Sequence, residues 1–230
     1  DSPLVLGLGD RENFAASDVT AVLEYTDRVI YLEDGDMGVI TAGSIDISCG
    51  GLKVERQVQK IHWTAGEACK GGYEHFMLKE IHEQPRVIRD TLAGRFDVVS
   101  GELSFEELPL SSEELAAVDR IYIVACGTSY HAGLIGKSII EAWARIPVEV
   151  EVASEFRYRN PIITSGTLVL AITQSGETAD TLEAVRLARK AGAHVIALTN
   201  VVGSRITREA QTVLFIKANL EIAVAATKSF

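Results

Sequence analysis

At 230 residues the chain is long enough for one large domain, or for one domain and part of another. Its 47% hydrophobic and 23% charged residues are ordinary globular composition and exclude disorder. A formal net charge of −10 excludes non-specific nucleic-acid binding, which needs a basic footprint, but not an anionic small molecule held by backbone N–H groups and hydroxyls. Cys49, Cys69 and Cys126 are an odd set without a CxxC pair, which fits neither a disulfide framework nor a zinc ribbon, so they read as free thiols in a reducing compartment, the cytoplasm. No apolar run reaches about 18 residues and no basic stretch followed by an apolar one opens the chain, so neither a membrane span nor a signal peptide is expected. Both ends read as cut: the chain starts without Met on a strand-like run and stops at residues 226–230, where a new helix is expected to begin. A fragment of a longer polypeptide is the expectation.

In chain order, residues 1–48 read as strands and turns. Leu4-Val5-Leu6-Gly7-Leu8 predicts a short strand, and Ser17-Asp18 predicts the cap of a short helix through Tyr25. Residues 28–32 and 37–41 predict two strands joined as a hairpin, because Asp34-Gly35 lies between β-rich flanks. Residues 43–47 predict one more strand, and the whole set reads as the edge of an antiparallel sheet. Residues 49–72 have linker composition, with paired glycines at each end. Apolar spacing of three and four from Tyr73 predicts helices, with Pro85 opening a second set of turns and an end near Ala93-Gly94.

From about residue 111 strands and helices alternate. Strands are predicted over residues 120–125, 148–152, 168–173, 194–198 and 212–217, and helices over 129–144, 178–191 and 204–210. This alternation predicts βαβ units, hence a parallel sheet with helices on both faces.

Two strand-to-helix turns, Ala125 to Tyr130 and Thr173 to Thr178, stand out. Ligands of open α/β sheets bind beyond the carboxyl ends of the strands, and each turn places glycine and hydroxyls at a helix start. The first N–H groups of a helix lack intrahelical acceptors, and the helix dipole adds partial positive charge there. A phosphate can take such N–H groups together with the Ser175 and Thr178 hydroxyls and the Gln174 amide, while Gly176 permits close backbone approach. Neutral donors suffice, and a site without fixed cations releases its ligand more readily. The plainer alternative is that these Ser and Thr residues only cap their helices. Glu177 opposes phosphate unless its carboxylate turns away, back toward its own helix terminus. Cys126 reads as a small buried residue and His131 as packing or surface, whereas Lys228 is the better polar candidate. GLGDRE at 7–12 lacks the third glycine and the βαβ context of a dinucleotide site, and His62, Cys69, His75 and His82 lack ligand spacing, so no cofactor and no metal are expected.

CGTSY at 126–130, ASEFRYR at 153–159, QSGETADTL at 174–182 and EIAVAATKSF at 221–230 together resemble the first sugar isomerase (SIS) domain of the glutamine–fructose-6-phosphate aminotransferase family, also called glucosamine-6-phosphate synthases. SPLVLGLGDRENFAASD at 2–18 and VIYLEDGD at 29–36 resemble the end of that family's glutaminase domain, and KGGYEHFMLKEIHEQP at 70–85 its interdomain connection. The resemblance covers nearly the whole chain. It implies an α/β fold: a three-layer α/β/α SIS domain with a parallel sheet, preceded by a strand-rich remnant of an N-terminal-nucleophile glutaminase domain. The implied division is 1–65 for the glutaminase remnant and linker, 66–110 for connecting helices and 111–230 for a SIS domain incomplete at its C-terminus.

The resemblance further implies synthesis of glucosamine 6-phosphate from fructose 6-phosphate and glutamine, the first step of hexosamine synthesis, in a homodimer without nucleic-acid or membrane partners. Ser129, Thr173, Gln174, Ser175 and Thr178 would hold the sugar phosphate, with Thr128, Val224 and Ala226 around the sugar. Thr173 and Ala226 stand where the family usually has serine, Ala223 where it has glycine, and Asn219-Leu220 where it has Gly-Pro. No catalytic residue is expected in this chain: the nucleophilic cysteine of the glutaminase and the lysine, glutamate and histidine of the sugar chemistry belong to parts of the family's sequence outside it. The alternatives are a non-catalytic SIS sensor of a sugar phosphate, which predicts a helix-turn-helix and a basic patch upstream, and an amino-sugar deaminase, which leaves residues 1–48 unexplained.

Overall fold

The structure, a computed structural model, describes residues 4–17, 19–61, 69–97 and 99–230, and divides into two units, Asp1–Glu74 and His75–Phe230. Asp18, expected as a helix cap, His62, and residues 2 and 3 of the N-terminal motif lie outside the described residues, as does 62–68 of the expected linker.

In the first unit the apolar alternation gives short antiparallel strands: β1 (Val5–Leu8), β2 (Asn13–Ala16), β3 (Arg28–Tyr31), β4 (Asp36–Ile40), β5 (Ile45–Cys49), β6 (Leu52–Lys53) and β7 (Gln59–Lys60). They form two sheets, ordered β2-β1-β3-β7 and β4-β5-β6. The helix expected through Tyr25 is a 3-10 turn, Val19–Ala21. The turn at 33–36 is real, with Asp36 N donating to Glu33 O at 3.0 Å and Gly35 at φ +90. It does not make the expected hairpin. Leu32 N donates to Leu4 O, which keeps β3 on β1, while both Asp36 carboxylate oxygens are held by Arg56 at 2.8 Å and β4 pairs with β5 instead. The chain thus passes from one sheet to the other at this turn, and Leu6, Ile30 and Ile47 pack between the two sheets.

The second unit opens with α1 (Phe76–Leu92), one helix where two sets of turns were expected. Pro85 removes a donor inside it, at an exposed position on the helix. The end falls where glycine predicted it, with Gly94 at φ +80. Buried Arg95 donates to Phe215 O at 2.9 Å and to Glu107 at 2.7 Å, and Lys217 N donates to Thr91 Oγ1 at 3.0 Å, which docks this end of α1 to the far edge of the sheet.

Strands and helices then alternate, with two helices, α2 (Ser112–Ala116) and α4 (Ala153–Arg159), that the sequence reading did not expect; the others in chain order are β8 (Arg120–Ala125), α3 (Gly127–Trp143), β9 (Val148–Val152), β10 (Thr167–Thr173), α5 (Ala179–Lys190), β11 (His194–Thr199), α6 (Ile206–Glu209) and β12 (Thr212–Phe215). The five strands are all parallel in the order β12-β11-β10-β8-β9. Helices cover both faces. Tyr122, Val124, Val169, Ala171, Val195 and Ala197 meet Phe156 of α4, Leu182 and Val185 of α5 and Ile206 of α6. Ile121, Ile123 and Val148 face the other way with Tyr130 and Ile140 of α3. Gly133 lets α3 lie close on that face, since a Cβ there would come within 2.9 Å of Ile123 Cγ2. Residues 226–230 form no helix; they fold back on α1 through side-chain bonds described below.

Candidate functional site

The strand order reverses between β8 and β10. The chain leaves β8 through α3 toward β9 on one side, and leaves β10 through α5 toward β11 on the other, so the two loops part and leave a crevice at the strands' carboxyl ends. A cleft of about 470 Å³ occupies that place. Its lining has three parts: Cys126 to Ser129 at the start of α3, Ile172 to Ser175 with Thr178 and Thr181 at the start of α5, and Ala223 to Ala226.

The eight residues that the resemblance places at the sugar phosphate, Thr128, Ser129, Thr173, Gln174, Ser175, Thr178, Val224 and Ala226, stand around this one cleft. Ser129 and Thr173 are buried, Gln174, Ser175 and Thr178 are half-buried, and Val224 is fully exposed. α3 begins two residues earlier than predicted, so Thr128 joins Ser129 in its first turn rather than lying in the loop before it. Sequence reasoning missed Cys126 and Thr181 as lining residues. Thr181 lies one helical turn after Thr178, a spacing that was available, and its hydroxyl lies 4.0 Å from Cys126 Sγ.

At the two helix starts themselves the plainer reading, that these hydroxyls only cap, finds no support. Neither Cys126, at the start of α3, nor Thr178, at the start of α5, makes a side-chain capping bond. By contrast α2, far shorter, carries a complete capping box, Glu114 N to Ser111 Oγ at 3.2 Å and Ser111 N to Glu114 Oε2 at 2.8 Å. The first amides of both long helices are therefore left without side-chain caps where the two loops face the cleft.

Within the second loop the bonds are long. Gly176 N donates to Thr173 Oγ1 at 3.3 Å, Glu177 N to Ser175 Oγ at 3.2 Å, and the Thr173 and Thr178 hydroxyls lie 3.3 Å apart. These sit at or beyond the weak end of the normal range and leave the hydroxyls with spare capacity. Two loop amides, those of Gly176 and Glu177, are thus turned onto neighbouring hydroxyls rather than toward a ligand. The loop's carbonyls are pinned on residues that do not line the cleft, Gln174 O by Asn200 N at 3.1 Å and Gly176 O by Ile206 N at 3.1 Å.

Glu177 turns away from the cleft, though not to its own helix as expected. Its Oε1 accepts from Arg205 N at 2.7 Å, with Arg205 Nε 3.8 Å from the other oxygen. Burial raises its pKa, against the lowering effect of Arg205. A carboxylate whose folded pKa is raised contributes stability that is full below its unfolded value and lost as pH rises through the folded one. Glu177→Gln removes this loss. Urea unfolding at about pH 4 and about pH 7 is expected to show the variant gaining on the parent at the higher pH. A parent that gains on the variant as pH rises would contradict the burial argument.

Among the described residues, no charged side chain lines the cleft. Lys228, the stronger polar candidate from the sequence, is not there: its Nζ is buried against Glu83 Oε2 at 2.6 Å and Leu220 O at 2.7 Å, so it holds structure together rather than facing a ligand. His131 is exposed and packs edge-on against Tyr130, as expected. The cysteines are free thiols, and Cys126 is half-buried. Among the described residues no group of three or more His, Cys, Asp or Glu side chains is placed to hold a metal, and no helix is long and apolar enough to cross a membrane.

Residues 114–230, which include the sheet and both loops, match the SIS domain family model. The chain belongs to the SIS domain family. Over 232 aligned positions it is 51% identical to the glutamine–fructose-6-phosphate aminotransferase (isomerizing) of Clostridium acetobutylicum, all of this chain matching 38% of that protein. The enzyme of the same name from Methanosarcina mazei is 53% identical, again over the whole chain and 37% of the relative. Among solved structures, the C-terminal domain of glucosamine-fructose-6-phosphate aminotransferase from Francisella tularensis matches with a TM-score of 0.65 and 43% identity, covering 70% of this chain and 45% of that one. The SIS domain and the strand-rich unit before it thus span a little over a third of the length of these curated relatives.

Proposed function

We propose that this chain is part of an enzyme that makes glucosamine 6-phosphate from fructose 6-phosphate and glutamine, and that its SIS domain seats the sugar phosphate. The observation that carries the reading is the convergence of two uncapped helix starts, with their hydroxyls, on one uncharged cleft at the switch point of a parallel sheet. Two dipole ends and a set of neutral donors suit a phosphate ester. Thr173, Gln174, Ser175 and Thr178 with Ser129 take the phosphate, and Thr128, Val224 and Ala226 border the sugar. The similarity of the whole chain to aminotransferases supports the same reading.

Ring opening and amine addition need an acid and a base, and the cleft lining supplies neither. This segment therefore binds and orients, and the groups that move protons belong to other parts of the protein. In this reading residues 1–65 end a glutaminase domain, 66–110 connect and 111–230 form the first SIS domain of a cytoplasmic homodimer. Exposed Leu134, Ile135, Ile139 and Trp143 along α3 support the dimer, since an unpartnered apolar stripe on a soluble domain favours association.

The uncharged lining also favours a second reading, a SIS module that senses a sugar phosphate without transforming it. The antiparallel strands upstream, where a sensor would carry a helix-turn-helix, speak for the enzyme.

In the full-length protein, Ser175→Ala with Thr178→Ala is expected to raise the KM for fructose 6-phosphate by at least about tenfold, since two hydrogen bonds to a charged group are lost. Glutamine hydrolysis measured without sugar should hardly change. An unchanged sugar KM would remove the loop from the site, and a protein that binds the sugar phosphate but forms no amino sugar would favour the sensor.

A further inference from the structure

The third wall of the cleft, residues 223–226, belongs to no helix or strand, so something else must fix it. What fixes it comes from α1, some 140 residues earlier in the chain. Glu80, 2% exposed, places one carboxylate oxygen between two successive amides, Ile222 N at 2.6 Å and Ala223 N at 3.2 Å. One turn further along α1, Gln84 donates to Thr227 O, and Glu83 receives Lys228 Nζ. Glu221 closes the loop on itself by accepting from Thr227 N at 2.8 Å and Lys228 N at 3.0 Å, with Ser229 Oγ on its other oxygen. Residues 221 and 227–228 are thereby pinned together, and 222–226 bulge from that base toward the cleft. Glu80 is the side chain that reaches into the bulge itself.

A buried carboxylate is an expensive way to satisfy two amides, and Glu80 leaves its second oxygen buried without a partner. That arrangement makes sense where a fixed direction matters more than stability. It also takes the Ile222 and Ala223 amides, at the entry to this wall, out of competition for a dianion, which leaves the phosphate to α3 and α5 and keeps the third wall for the sugar. We infer that Glu80 is a positioning residue for the sugar-binding wall of the cleft, acting through the Ile222 and Ala223 amides. The inference rests on the sugar-phosphate reading of the cleft.

The test measures dissociation constants of the full-length protein for two probes, fructose 6-phosphate and inorganic phosphate. Glu80→Ala and Glu80→Asp, the second keeping the charge but drawing it back by one methylene, are expected to weaken fructose 6-phosphate about tenfold and inorganic phosphate less than about twofold. Glu80→Gln keeps an acceptor at the same reach and is expected to restore sugar binding. If the alanine variant does not fold, the aspartate and glutamine pair decides. Equal weakening of both probes, a glutamine variant no better than alanine, or unchanged sugar binding in the aspartate variant would each overturn the role. The Ser175→Ala, Thr178→Ala double variant serves as reference and is expected to weaken both probes. Should it leave both unchanged, the cleft reading fails and this inference with it; should it weaken both while the Glu80 variants do nothing, only the role of Glu80 fails.

Discussion

Gly176→Ala is expected to destabilise the SIS domain by about 2–4 kcal/mol, the sum of a left-handed backbone penalty and overpacking, and to abolish the proposed binding of fructose 6-phosphate. Gly176 is buried at φ +67, a conformation that L side chains rarely adopt. A Cβ there would strike Ser204 Oγ, lie 2.6 Å from Ser204 Cβ and 3.0 Å from Ile206 Cγ2. Neither neighbour can give way easily. Ser204 Oγ is bound to Val201 O at 2.7 Å, and Ile206 is fully buried with its N–H on Gly176 O. The strain therefore has to be relieved by the loop 173–178, which carries four of the proposed phosphate contacts. Urea unfolding and calorimetric titration with fructose 6-phosphate check both halves of the expectation; a variant with wild-type stability and affinity would mean that the loop tolerates a backbone the structure forbids.

The second large effect lies in the core. Phe156→Ala is expected to cost about 3–5 kcal/mol, the usual range for removing a buried aromatic ring. Phe156 is fully buried, edge-on to Tyr122 with ring centroids 5.4 Å apart, in the cluster that includes Leu182, Val185 and Ile206. It is also the main anchor of α4, whose seven residues are too few to stay helical without packing. Freed, α4 takes with it Arg157, which donates to Asp180 at 2.9 Å in the first turn of α5. Loss of stability should therefore come with a modest rise in the KM for fructose 6-phosphate. Equilibrium urea unfolding decides the main point: a loss under about 1 kcal/mol would mean that the cavity collapses and that α4 is held by something else.

The parallel sheet was legible because its central strands, Ile121 to Val124 and Leu168 to Ile172, are unbroken apolar runs between helical patterns. The cleft was legible because glycine and hydroxyls follow two such runs, and topology alone then brings Ser129 and Ser175 to the same crevice. Local competition hid other elements. α2 passed unnoticed although Ser111 and Glu114 have capping-box spacing, and α4 was hidden because β9 runs into it without a turn. Asp34-Gly35 is a sound turn signal, but which sheet a strand joins is settled by partners such as Leu4 and Arg56 that lie far off in sequence. The same holds for Lys228 and Glu80: nothing within ten residues of either indicates that a helix from before the sheet grips the chain after it.

The absence of lysine and arginine from the cleft lining bears on how a ligand arrives. Toward the dianion proposed as ligand, this chain, with its net charge of −10, sets a repulsive field rather than an attractive one. Added electrolyte screens that field, and capture should quicken slightly with ionic strength, opposite to the trend of enzymes that funnel phosphates along basic surfaces.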